Sequence, residues 1–158
     1  GCSMCPLQRD AFTGWGRLDL TAALRALSGP IPARDRLEPN DDAGADAAML
    51  WGRKRRVEAT LDFWDDQSDV YRVKLKRRQA VYASVTGPAG TDTNLVLWRP
   101  ATIHVDDLGK QGLRARQSSK PGPREQLGFR APVAGWYYVQ VKLASAGAGA
   151  YRLTIVKT

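Results

Sequence analysis

A chain of 158 residues that is 43% hydrophobic is long enough for one ordinary domain with a short appendage and can bury a real core, which excludes disorder throughout. Arg or Lys interrupts its apolar segments well before the roughly 18 residues a membrane-spanning helix needs. The formal charge of +8 would attract polyanions, but the cations are scattered over Arg53–Arg56, Arg72–Arg78 and Lys110–Arg130 without a nucleic-acid motif, so a solvated basic surface is expected.

The chain opens abruptly on Gly1 with no basic segment leading into an apolar one, and so reads as part of a longer precursor. Its only cysteines, Cys2 and Cys5, form a Cys-x-x-Cys. A redox motif would want a following helix in a βαβ unit, and a structural metal site a second pair. Neither is present, which favours a local disulfide in an exported protein. Residues 1–29 then form one unit: a glycine-rich turn around Trp15 and a helix with Leu20, Ala23, Leu24 and Leu27 on one face, capped by Asp19 and ended by Gly29-Pro30. A helix this short needs a partner for its apolar face.

Residues 30–49 read as an acidic linker or strap, rich in Pro, Ala and Asp. Two acidic knots stand out in this cationic chain, Glu38, Asn40, Asp41 and Asp42 around Pro39, and Asp62, Asp65, Asp66 and Asp69 before a strand. From about residue 50 the hydrophobic period becomes two, with Val57, Ala59 and Leu61, then Tyr71, Val73 and Leu75, Val81, Ala83 and Val85, Leu95 and Leu97, Tyr137, Val139, Val141 and Leu143, and Tyr151, Leu153 and Ile155. Short alternating strands separated by Gly and Pro signals predict a mainly β fold, an antiparallel, jelly-roll-like β-sandwich over 50–158 with one short N-terminal helix outside it. Residues 106–124 lack alternation and are expected to form a long loop.

Five segments carry a resemblance: Leu37-Glu-Pro-Asn-Asp-Asp42, Asp65-Asp-Gln-Ser-Asp-Val-Tyr-Arg-Val73, Thr91-Asp-Thr-Asn-Leu-Val-Leu97, Ala134-Gly-Trp-Tyr-Tyr-Val-Gln-Val141 and Gly149-Ala-Tyr-Arg-Leu-Thr-Ile155. In this order, and over residues 35–157, they resemble a bacterial pre-peptidase C-terminal domain. The opening Gly14-Trp-Gly-Arg-Leu-Asp19, followed by Ala22-Ala-Leu24, is similar to the closing phrase of a subtilisin-like catalytic domain. Together they imply a noncatalytic accessory domain at the C-terminus of a secreted subtilisin-like serine protease, supporting its folding, secretion, stability or hold on substrate. The alternative is a free-standing adhesion module for a protein, polysaccharide or polyanion surface.

The resemblance also suggests calcium ligands, since relatives in bacterial collagenases bind calcium at the matching turns: Glu38, Asn40, Asp41, Asp66 and Asp69. Carboxylate, amide and carbonyl oxygens on flexible turns are what calcium coordination requires. Arg36 stands where those relatives carry another glutamate, and the residues leave a second reading open, in which they cap turns through backbone amides and a cation such as Arg36 neutralises them. Catalysis is not expected. Ser3 lies in a Gly-Cys-Ser-Met-Cys segment similar to a subtilisin nucleophile motif, but the only histidine, His104, is far away in sequence and has no partner that spacing identifies. On the strand from Trp136 to Leu143, alternation places Trp136, Tyr138, Gln140 and Lys142 opposite the core set. With Trp98 they form a candidate surface for protein or polysaccharide partners, unless the catalytic domain or the N-terminal helix covers them.

Overall fold

The structure is a computed structural model. It describes residues 35–158 apart from residue 107 and the side chains of 108, 109 and 111. The chain divides into two compact units, Gly1–Ala33 and Arg34–Thr158. The expected helix, the Cys2–Cys5 disulfide and Ser3 therefore lie outside the described residues.

The strands are β1 (Ala48–Leu50), β2 (Lys54–Asp62), β3 (Ser68–Leu75), β4 (Ala80–Thr86), β5 (Thr93–Trp98), β6 (Arg114–Ser118), β7 (Arg124–Arg130), β8 (Gly135–Leu143) and β9 (Ala148–Lys157). They form a five-stranded sheet in the order β1-β3-β8-β5-β6 and a four-stranded sheet in the order β2-β9-β4-β7. This is the expected sandwich. Every alternating set named above turns inward to build the core between the sheets, and Tyr71, Leu95, Leu97, Tyr137, Val139, Val141, Leu143 and Leu153 are completely buried. Burial of that apolar area, at roughly 25 cal/mol per Å², is what joins two sheets that are each incomplete alone.

Two expectations change. The stretch read as a linker belongs to the sandwich from residue 35 onward, because β1 pairs in parallel with β3 and the backbone N–H of Val70 donates to the Asn40 carbonyl at 2.6 Å. Ala43 and Ala47 are buried in a second apolar cluster with Val70, Val96, Trp98 and Tyr138 on the outer side of the five-stranded sheet. The segment expected to be a long loop contains a short 3-10 turn over Leu108–Leu113, then β6, and ends at β7. Strand β6, Arg-Ala-Arg-Gln-Ser, is half-buried at a sheet edge and has no apolar alternation to reveal it.

Candidate functional site

The site lies where the 35–47 loop meets the start of β3 and the turn before it. Asp69 is the second residue of β3, and the backbone amides and carbonyls of Asp62 and Asp66 bond reciprocally at 2.9 and 3.0 Å to close that turn. Asp35 accepts from the Leu37 amide at 2.7 Å and the Thr60 amide at 3.0 Å, which ties the loop to β2. These bonds bring the two acidic knots together: one carboxylate oxygen from each of Glu38, Asp41, Asp66 and Asp69 lies within 4.8 Å of the others. Asn40, the fifth expected ligand, is completely buried beside them in the loop.

This cluster is short of partners. Glu38 Oε1, Asn40 Oδ1 and Nδ2, Asp66 Oδ1 and Asp69 Oδ1 are buried without a hydrogen bond. None of the ion pairs among the described residues involves Glu38, Asp66 or Asp69, and Arg36 is exposed. Two ionised carboxylates at such a separation repel by on the order of 3 kcal/mol at an effective dielectric near 20. Burial first, then the neighbouring carboxylates, push Asp66 up to about 7; burial, opposed by the Tyr151 hydroxyl and reinforced by Asp66 and Glu38, pushes Asp69 up to about 8. Glu38 is raised as well, by burial and by Asp41. Glu38 accepts a long local backbone bond of 3.4 Å from the Asn40 amide, whereas Asp35 and Asp62 take shorter caps of 2.7 and 2.9 Å.

Asp69 also connects the corner to the core. Its Oδ2 accepts from the hydroxyl of Tyr71, at 3.1 Å, and from that of Tyr151, and the two hydroxyls touch each other. One carboxylate oxygen is thus held by tyrosines from both sheets while the other faces the acidic cluster. Alternation identifies Tyr71 and Tyr151 as core residues and gives no signal of this polar task.

The expected aromatic surface is corrected. Trp98 is completely buried, donating from Nε1 to Gln140 Oε1 at 2.8 Å, and Tyr138 is 7% exposed. Ala43, Ala47, Val105 and Leu113 pack on them from the loops outside the sheet. Lys142 is half-buried and paired with Asp106 at 2.7 Å. Only Trp136 keeps an accessible ring among the four, edge to face with Trp51 at 5.7 Å and with Arg72 and Lys74 near 5.7 and 5.6 Å from its centroid. Trp51 is 57% exposed and was not singled out by alternation because it follows β1 in a turn. His104 does have a partner, Asp42 Oδ2, at 2.7 Å from Nδ1.

No family model matches the chain, and a search of curated proteins finds no match. Solved structures do. The pre-peptidase C-terminal domain of a collagenase from Bacillus anthracis aligns with a TM-score of 0.56 at 21% identity, over 75% of this chain and 97% of that one. PliG of Aeromonas hydrophila, a periplasmic inhibitor of g-type lysozyme, aligns with a TM-score of 0.55 at 13% identity, over 71% of this chain and 96% of its own. The sandwich formed by residues 35–158 thus has the fold of a pre-peptidase C-terminal domain.

Proposed function

We propose that residues 35–158 are a noncatalytic accessory domain at the C-terminus of an exported subtilisin-like serine protease, and that calcium binds its acidic corner. The observation that carries this reading is the convergence of the Glu38, Asp41, Asp66 and Asp69 carboxylates, with buried Asn40 in the same loop and four buried oxygen atoms left unbonded, in a fold shared with the pre-peptidase C-terminal domain of a collagenase. Buried polar atoms are normally satisfied, and hard oxygen donors in this number suit calcium better than softer metals. The bound ion would neutralise the corner and tie the 35–47 loop to β3. A domain stiffened in this way can support folding or export of a catalytic domain without taking part in its chemistry. Deleting residues 35–158 from the full-length polypeptide should lower the amount of active protease secreted and leave turnover of a small peptide by the remaining enzyme unchanged. A full-length polypeptide without protease activity would contradict the reading.

A second reading, adhesion to a protein or polysaccharide surface, draws on the accessible Trp51 and on Trp136 flanked by Arg72 and Lys74. PliG, an inhibitor of g-type lysozyme, has this same fold, so the fold alone does not choose between the readings. Trp51→Ala should weaken capture of such a partner without lowering the melting temperature.

A further inference from the structure

The outer face of the four-stranded sheet is solvent-exposed and its register is regular. Tyr82 stands opposite Gly128 and Val156, Ser84 opposite Gln126 and Thr154, and Thr86 opposite Arg124 and Arg152, so these side chains form three successive rows across β9, β4 and β7. The end of β6, with Ser119 and Lys120 after it, lines the same hollow as a wall beside this floor. The groove between floor and wall has a volume of about 720 Å³, and a second hollow of about 340 Å³ continues it along Thr86 and Arg124. The wall is anchored from inside, because the buried carboxylate of Glu125 accepts from the Ser118 hydroxyl and from the Lys120 amide.

Three features of this groove select a ligand. The Tyr82 ring is 53% exposed and lies over Gly128, where a Cβ would stand 3.1 Å from the ring, so glycine lets the ring lie against the sheet as an apolar platform. Its π face carries partial negative charge and attracts the polarised C–H groups of a sugar ring. Ser84, Gln126 and Thr154 then offer hydroxyl and amide groups at the spacing of neighbouring strands, suited to sugar hydroxyls. Arg116, Lys120 and Arg124 line the wall and the far end, and no carboxylate of the described residues pairs with their side chains, whereas Glu58 already holds Arg56 and Arg152. Guanidinium groups match carboxylate or sulfate bidentately.

We infer that this groove binds an acidic polysaccharide, with a sugar stacked on Tyr82 and its uronate or sulfate groups on Arg116, Lys120 and Arg124. The two connected hollows favour a polymer over a single sugar. Single-stranded nucleic acid shares the charge but gains its affinity from a series of stacking rings, and Tyr82 is the one aromatic residue lining the groove.

The test measures binding of the purified chain to polygalacturonate, heparin, neutral dextran and single-stranded DNA at about 0.15 M salt, where surface charges are screened beyond roughly 8 Å. Polygalacturonate or heparin should bind and dextran should not. Arg116→Glu with Arg124→Glu should weaken binding by about tenfold or more, a change of at least about 1.4 kcal/mol. Tyr82→Ala should also weaken it while Tyr82→Phe keeps it, and because Tyr82 is exposed this pair remains readable if the charge-reversed variant folds poorly. Polygalacturonate carries carboxylate alone and heparin adds sulfate, so tighter binding of heparin identifies sulfate as the preferred anion and equal binding identifies carboxylate as sufficient. Failure of both to bind, DNA binding as tight as either, or Tyr82→Ala without effect would overturn the inference.

Discussion

One loop carries two acidic residues with opposite electrostatic fates, Asp42, held low, and Glu38, pushed up by burial and by Asp41. Asp42 is provided for by the protein: Oδ2 meets His104 at 2.7 Å, Oδ1 accepts from the Val105 amide at 2.8 Å and the Ala43 amide at 2.7 Å, and although burial pushes its pKa up, these bonds hold it below the ordinary range. Asp106 is likewise met by Lys142 at 2.7 Å and by the Gln140 side-chain amide, which donates from Nε2 at 2.8 Å. Two residues before Asp42, the cluster that includes Asn40 leaves buried atoms unbonded and carboxyls pushed upward. Acidic sequence alone therefore does not fix how a carboxylate is provided for. The difference is whether the fold supplies its own cations and N–H groups.

That contrast can be broken from either side. The largest effect is expected on the self-sufficient side, where Trp98→Ala removes a completely buried ring and its bond to Gln140 and should cost about 3–5 kcal/mol by denaturant unfolding. The cost should be the same with calcium or with chelator, since the cluster around Trp98 is closed by protein groups.

The acidic corner should respond in the opposite direction. In chelator, Asp66→Asn removes one of the repelling carboxylates and should raise the melting temperature, while the loss of a ligand should abolish any rise caused by calcium. A variant destabilised in chelator would mean that Asp66 is already satisfied.

The pH dependence sharpens the same point. Asp66 and Asp69 have folded pKa values near 7 and 8, above the ordinary 3.8, so between about pH 4 and 8 the folded chain holds more protons than the unfolded one. Stability in chelator should therefore be fullest below about pH 4 on account of these groups and fall as pH rises through 7 to 8. Melting curves across this range should show that decline, and calcium should remove most of it. The smallest effect belongs to His104→Ala. The pair with Asp42 is exposed on the histidine side, and such pairs contribute about 0–1 kcal/mol.

Alternation made the sandwich legible because each core strand buries only one face, so Tyr71-Val73-Leu75 and Tyr137-Val139-Val141-Leu143 declare their direction. It failed where both faces are covered. Trp98 and Tyr138 are correctly assigned to the outer side of β5 and β8, yet that side is roofed by Ala43, Ala47, Val105 and Leu113, too few and too scattered apolar residues to announce a roof. The acidic residues of the corner were legible as two knots, and the fold brings them within 4.8 Å. The tyrosine hydroxyls on Asp69 were not, because a tyrosine in an alternating strand reads as hydrophobic whether or not its hydroxyl has work to do. The groove across Tyr82, Ser84 and Gln126 was equally silent, being composed of outward polar residues that any solvated strand would show.

Calcium titration of the purified chain at about pH 7.5, followed by thermal unfolding, tests the cation reading most directly. Calcium at about 100 times its dissociation constant should stabilise the fold by roughly 2.7 kcal/mol, with Asp66→Asn abolishing the shift. An identical melting temperature in calcium and in chelator would contradict it.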